Sequence, residues 1–273
     1  MGAPARWAAA FLAAALLTGA ATACGSPAKS PDGGAPSTSA APSAARLTPT
    51  AQPTPTDRSP HGVMLSAQLV LHDARRAEYT AVLDGGGAKG ALFWAPKTVL
   101  KYQGGDDGQV LMVLDTSAYL GGDPESAARL GGPHWQKFSN GRIPYADLID
   151  RLSPVVAVAA AAAAPDPQLV GEEKLLDSTV EHYRATVTSA QYAAAQGQLD
   201  PARRQALEAA LGPGDVVLDL WLNDSDQVVR LRRAAAVVDT VDYTEFGSSS
   251  LSVQAPAEAD TAAGTGSSPP PFP

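Results

Sequence analysis

Residues 215–236 read DVVLDLWLNDSDQVVRLRRAAA, and this stretch decides the fold class. In its first eight residues Val216, Leu218, Leu220 and Leu222 alternate with a mixed set, Val217, Asp219 and Trp221. Such alternation puts one apolar face against a core, as in an antiparallel sheet that is covered on one side. The next four residues, NDSD, favour a tight turn, and a second apolar run follows it. The stretch therefore predicts a β-hairpin on the surface of a core.

Outward from this hairpin, short apolar runs recur between clusters of glycine and aspartate, which favour hairpin turns. The further predicted strands are 78–84, 91–103, 109–115, 117–120, 134–138, 168–174, 179–188, 240–246 and 251–255. The predicted helices are 63–77, 145–164 in two pieces, and 201–211. The order predicts an α+β fold in which helices pack on one face of a single curved antiparallel sheet.

The segment 154–164 is a helix of unusual composition. Ser153 and Pro154 are suited to the N-cap and the first helical position, so a break in the longer helical stretch is expected there. Three valines and a run of six alanines follow, which makes the helix apolar on every face. Such a helix requires burial, and it is too short to cross a bilayer.

The first 24 residues carry an export signal. Arg6 precedes an apolar stretch, and small residues then lead to Cys24, the only cysteine of the chain. The end of this segment resembles the lipobox of bacterial lipoproteins, which implies removal of residues 1–23 and lipidation of Cys24. The protein would then be anchored to the cell membrane on its extracytoplasmic face. The alternative is ordinary cleavage nearby, with Cys24 an incidental thiol.

Composition divides the rest of the chain and limits its chemistry. Residues 24–60 and 257–273 are rich in Pro, Ser and Ala, which predicts a disordered tether and tail around a domain at 61–256. The net charge of −8 argues against nucleic-acid binding, and one cysteine excludes an internal disulfide or a multi-cysteine zinc site. The four histidines lie far apart in sequence. We expect no cofactor and no bound metal.

The motifs that suggest catalysis do not fit their context. Residues 85–90 match G-x-G-x-x-G by letter, but a strand-like run with a proline follows instead of a helix, so a hairpin turn is predicted. The oxygen-rich segment 223–226 lacks the remaining EF-hand ligands and is also predicted to be a turn. Glu172 and Glu173 are neighbours on a strand and point to opposite faces, and His182 is predicted to pair on the sheet surface. We expect that the protein is not an enzyme.

Several segments, in order, resemble the LppX/LprG-type bacterial lipoproteins of the LolA-like superfamily. They are Ala91-Leu-Phe-Trp94, Gly132-Pro-His-Trp-Gln-Lys137, Gly171 through Glu181-His-Tyr-Arg184, Asp219-Leu-Trp-Leu-Asn-Asp224 with Val229-Arg-Leu231, Tyr243-Thr-Glu-Phe-Gly247 and Val253-Gln-Ala-Pro256. The resemblance covers nearly all of 61–256. It implies a half-barrel whose concave face is lined by helices, with an apolar cavity for lipid acyl chains between sheet and helices.

The helical stretch before Ala164 supplies the candidate cavity residues. They are Leu148, Leu152, Val155, Val156 and Ala159, and the alternative for each is ordinary packing in a dry core. Two functions stay open at this point. The protein is either a membrane-anchored carrier of a lipid or an acylated molecule, or a tethered protein-interaction or sensor domain without a cavity. We expect a monomer in both cases.

Overall fold

The computed structural model describes residues 57–105, 108–175 and 178–264. The chain divides into two units, Met1–Pro53 and Thr54–Pro273, and the described residues all belong to the second. The helices are α1 (Pro60–Ala74), α2 (Pro124–Leu130), α3 (Ala146–Leu152), α4 (Pro154–Ala162), α5 (Ser189–Ala194) and α6 (Pro201–Leu211). The strands are β1 (Arg76–Leu83), β2 (Gly86–Phe93), β3 (Val99–Gly104), β4 (Val110–Leu114), β5 (Ser117–Gly121), β6 (Trp135–Ser139), β7 (Gln168–Leu175), β8 (Ser178–Thr188), β9 (Asp215–Leu222), β10 (Val228–Ala234), β11 (Val238–Thr244) and β12 (Thr261–Ala263).

All twelve strands join one open sheet in the order β12-β6-β5-β4-β3-β2-β1-β11-β10-β9-β8-β7. Neighbouring strands are antiparallel except β12 and β6, which run parallel. The alternation predicted for β9 is present, since Val216, Leu218 and Leu220 are fully buried against the core. Helices α4 and α5 pack on this apolar face of the sheet. The predicted α+β fold, one curved sheet with helices on one face, is confirmed.

Two turns behave as their sequences predict. Leu83 pairs with Gly86 across the β1–β2 hairpin, so Asp84 and Gly85 form a two-residue turn. Their φ angles are 51° and 83°, as the twist of a tight hairpin requires. The glycine-rich motif is thus a hairpin and not a nucleotide loop. In the β9–β10 turn the Asn223 side chain accepts hydrogen bonds from the backbone N–H groups of Ser225 and Gln227, both at 3.0 Å.

The structure differs from the sequence predictions at several internal places. Helix α1 ends at Ala74, and residues 76–77, which were predicted to be helical, belong to β1. The predicted strand 91–103 is two strands, separated at Trp94–Thr98, because a proline cannot donate to a sheet ladder. Helix α2 lies where only a glycine- and proline-rich excursion was expected, and Asp123 caps it by accepting from the Ser126 N–H at 2.8 Å. Residues 251–255 are not a strand.

The flanks expected to be disordered contribute structure at both ends of the domain. Ser59 and Pro60 begin α1, because the Ser59 hydroxyl accepts from the Gly62 N–H at 3.1 Å and Pro60 occupies the first helical turn. Near the other end, β12 pairs with β6, and Asp260 accepts from the backbone N–H of His134 at 2.9 Å. The folded region therefore includes 57–60 and 257–264 as well as 61–256.

Candidate functional site

The candidate site is a pocket of about 590 Å³ between α1 and α4, called the α1–α4 pocket below. Its other walls are the loop after β2 and the segment that follows α5. Its apolar lining is Leu71, Trp94, Ala95, Pro96, Val155, Ala159 and Ala195. Its polar lining is Gln68, His72, Arg75 and Gln198.

The wall formed by α1 and Trp94 is fixed by the end of the helix. Arg75 adopts a left-handed conformation with φ 62° and ends α1, and its N–H donates to the Leu71 carbonyl at 3.1 Å. The same carbonyl accepts a hydrogen bond of 2.8 Å from the indole N–H of Trp94. The Trp94 backbone N–H in turn donates to the Arg75 carbonyl at 3.0 Å. These bonds hold the indole ring against the last turn of α1.

The opposite wall depends on the small side chains of α4. Val155 and Ala159 are four residues apart, so they lie on one face of the helix, and they are its only half-buried residues between Pro154 and Ala162. The rest of the helix is buried in the core. Gln196 is fully buried after α5, and its side-chain amide donates to the Val156 carbonyl at 2.9 Å. This bond sets the position of the neighbouring Ala195 in the pocket.

The five predicted cavity residues do not all reach this pocket. Val155 and Ala159 line it. Leu152 and Val156 are 0% and 4% exposed and pack in the core, which is the alternative weighed for them. Leu148 on α3 is half-buried and packs against the edge of the core.

Sequence reasoning missed the walls contributed by α1, by the loop after β2 and by Ala195. The available signal was Pro96, since a proline inside an apparent strand marks a loop. Nothing in the local sequence brings that loop to the end of α1, because the contact depends on a long-range hydrogen bond from Trp94.

The lining of the pocket suits an apolar group with a polar end. The apolar lining residues are buried or half-buried apart from the exposed Pro96, and the polar Gln68 is half-buried. The other three polar residues, His72, Arg75 and Gln198, are exposed, and we call this side of the pocket its mouth. Within the described residues, no group of three or more His, Cys, Asp or Glu side chains could hold a metal ion. The arrangement can therefore desolvate an apolar ligand.

Comparison with known proteins gives one match in sequence and several in structure. No family model matches the chain. An uncharacterised 31.2 kDa protein of Streptomyces griseus, encoded between rplA and rplJ, is 26% identical over 180 residues, or 59% of this chain. The match spans 58% of that relative's own length.

Among solved structures, LprF from Mycobacterium bovis is similar with a TM-score of 0.45 at 11% identity, over 72% of this chain and 96% of that one. The lipoprotein LppX from Mycobacterium tuberculosis is similar with a TM-score of 0.43 at 9% identity, over 70% of this chain and 97% of that one.

The predicted signal segment and lipid anchor concern residues that the structure does not describe. Cys24 and residues 1–23 lie outside the described residues. Among the helices that are described, none is long and apolar enough to cross a bilayer.

A cluster of polar side chains lies on the sheet face opposite the core, away from the α1–α4 pocket. His182 on β8 lies between two carboxylates, with Nδ1 2.7 Å from Glu173 Oε1 and Nε2 2.9 Å from Asp219 Oδ1. Its ring stacks on Trp221 at 4.3 Å between centroids. His182 therefore pairs on the face opposite the core, but it is 6% exposed and so is buried rather than on the surface.

Asp219 is the centre of this cluster. It accepts from Arg184 Nε at 2.7 Å and from Arg232 at 3.2 Å, and its side chain is 2% exposed. Burial by itself raises the pKa of Asp219, but the hydrogen bonds from Arg184 and His182 outweigh it and hold the pKa below its ordinary value. Its side-chain partners, two arginines and His182, lie on the neighbouring strands β8 and β10, which is the arrangement of a structural polar network.

Proposed function

We propose that this protein is an exported, membrane-anchored lipoprotein that binds an apolar ligand, such as a lipid acyl chain, in the α1–α4 pocket. One observation carries the proposal, namely a pocket of about 590 Å³ whose lining is mainly apolar and at least half-buried, with three exposed polar residues on its open side. Pockets for small molecules commonly measure about 300–1,000 Å³ and are lined mainly by apolar side chains. The protein acts by binding rather than by catalysis.

The composition of α4 explains how such a pocket can exist in a packed domain. A helix that fills a core usually carries larger side chains, but Ala159 presents only a methyl group to the pocket. Each methylene of a ligand that leaves water contributes about 0.8 kcal/mol, so a long chain can bind without a polar contact. Specificity would then come from the length and shape of the apolar group.

The anchor is proposed from the sequence alone. Residues 1–23 would be removed, Cys24 would carry the lipid, and the segment up to residue 56 would connect the anchor to the folded domain. Membrane retention of a Cys24→Ala variant would contradict this part of the proposal.

The alternative of a protein-interaction domain without a cavity has less support. It calls for a large contiguous apolar surface. In the described part of the chain, the exposed large apolar residues are spread over separate elements. They are Leu65, Leu69, Val82, Leu169, Val170, Val237 and Val238.

The test is a titration of the processed full-length protein with a fluorescent fatty acid. Saturable binding is expected, and Ala159→Trp should weaken it at least about tenfold, because an indole ring in the pocket displaces several methylenes of ligand. Ala163→Trp is the matched control. Ala163 is the exposed C-cap residue of the same helix and does not line the pocket.

Both variants should keep the circular dichroism spectrum of the unmodified protein. Absence of saturable binding by the unmodified protein refutes the carrier function. Equal loss of affinity in both variants refutes the location of the site.

A further inference from the structure

The surface beside the α1–α4 pocket carries the most exposed large apolar side chain of the described residues. Leu69 is 68% exposed, and Leu65, one helical turn earlier on α1, is 46% exposed. We call these two side chains the α1 ridge. A lone exposed leucine is common on protein surfaces, but two at adjacent turns form an apolar strip.

The ridge is continuous with the mouth of the pocket. Leu65, Gln68, Leu69 and His72 follow the i, i+3, i+4, i+7 spacing of one helix face. Gln68 and His72 line the pocket. The exposed leucines therefore border the opening through which a ligand would pass.

The chain geometry indicates what would cover the ridge. The described chain starts at Asp57, three residues before α1, and 32 residues separate Asp57 from Cys24. If this segment is the disordered tether that its composition predicts, its mean end-to-end distance is about 30 Å. With Cys24 lipidated, α1 would be the folded element joined to the membrane by the shortest path. A short tether also gives an effective concentration in the millimolar range, so weak contacts would suffice.

Apolar contact, more than charge, would provide the attraction. Arg75 is the only arginine or lysine among the lining residues that the structure describes. The whole chain carries a net charge of −8, which does not favour an anionic surface. Two leucine side chains, in contrast, gain free energy on entering the interface of any bilayer.

We propose that the α1 ridge, Leu65 with Leu69, inserts into the bilayer surface and places the mouth of the pocket against it. The ligand then moves between bilayer and pocket without crossing water. This inference rests on the proposed function of the pocket, and it adds where the ligand is loaded.

The test measures the transfer of pyrene-labelled hexadecanoate from neutral phosphatidylcholine vesicles to the processed full-length protein anchored in them. Excimer fluorescence falls as the probe leaves the bilayer, which gives a rate and a final level in one trace. The double variant Leu65→Ser, Leu69→Ser should slow the transfer on the order of tenfold and leave the final level unchanged. The final level stays because a route of transfer cannot alter the equilibrium.

The matched control is the double variant Leu169→Ser, Val170→Ser. These two side chains on the edge strand β7 are 50% and 52% exposed and do not border the pocket. Their replacement should leave the rate within about twofold, which is below the effect of removing two membrane contacts.

Each outcome has one meaning. A normal final level with an unchanged rate in the ridge variant overturns the membrane contact and leaves the proposed function standing. No transfer to the unmodified protein overturns the proposed function itself. Equal slowing in the ridge and control variants also overturns the membrane contact of the α1 ridge, because any more polar surface would then slow the transfer.

Discussion

Asp219 and Asp150 are both buried carboxylates, and their surroundings act on them in opposite directions. Asp219 accepts hydrogen bonds from two arginines and faces His182, so its pKa lies below the ordinary value of 3.8. Burial raises the pKa of Asp150, and its one partner, Arg203 at 2.7 Å, offsets this only in part. Asp150 Oδ2 also has no hydrogen-bond partner. Only Asp219 therefore gains stability from being charged.

Replacement by asparagine should affect the free energy of unfolding differently at Asp219 and at Asp150. Asp219→Asn should lower the free energy of unfolding at pH 7 by about 2 kcal/mol, because three donors lose a charged acceptor although the arginines remain half-exposed. Asp150→Asn should change it by less than about 1 kcal/mol, because it removes a poorly solvated charge and keeps an acceptor for Arg203. Urea unfolding of both variants checks this, and an equal loss in the two would contradict it.

The lowered pKa of Asp219 also predicts how the stability of the protein changes at acid pH. The lowered pKa of Asp219 contributes stability that is fully present above its ordinary value of 3.8 and is lost as the pH falls below it. The raised pKa of Asp150 acts in the opposite sense, since its folded form takes up a proton more readily. Asp219→Asn should therefore lose less stability between pH 5 and pH 3 than the unmodified protein does.

At the scale of residues, the sequence predicted which sheet face a side chain occupies better than it predicted the hydrogen-bond partners of that side chain. The alternation in β9 placed Asp219 and Trp221 opposite the core, and His182 was predicted only to pair on the sheet. The contacts of His182 with Glu173 and Asp219 depend on the register of β7, β8 and β9, which local sequence does not determine.

At the scale of elements, local signals predicted the central helices closely. Pro201–Leu211 agrees residue for residue with the prediction, because Asp200 caps it by accepting from the Arg203 N–H at 2.9 Å and Gly212 ends it. The break at Ser153 between α3 and α4 is also present. Helix α2 and strand β12 were missed because each is short and depends on a cap or on the edge of β6.

The ends of the domain offer an element-scale prediction. Arg58 forms ion pairs with Asp226 at 2.7 Å and Glu181 at 2.8 Å, and Ser59 caps α1. A chain limited to residues 61–256 loses these contacts and also β12. It should melt about 5 °C below a chain of 57–264, as a loss of about 2 kcal/mol implies for a domain of this size.

Two further chains, 57–256 and 61–264, each lack only one of these ends, so they show how much each end contributes to the melting temperature. Differential scanning calorimetry gives each melting temperature. Equal melting temperatures for all four chains would show that neither end contributes to folding stability.

At the scale of the whole molecule, composition and order of elements predicted one sheet, one core and helices on one face. Composition could not locate the pocket, because its walls come from α1, the loop after β2, α4 and the segment after α5. Only Val155 and Ala159 were foreseen among its lining residues, and they share a helix face. The other walls meet through Trp94 and Gln196, whose hydrogen bonds reach across the fold.

The central claim is that an apolar ligand occupies the α1–α4 pocket, and photolabelling tests it most directly. A fatty acid with a diazirine in its chain would be bound to the processed full-length protein, activated by light and mapped by peptide mass spectrometry. The expected adducts lie on α1, on the Trp94–Pro96 loop and on α4, and unlabelled fatty acid should compete them away. Labelling that is not competed, or that is confined to peptides outside these walls, would contradict the claim.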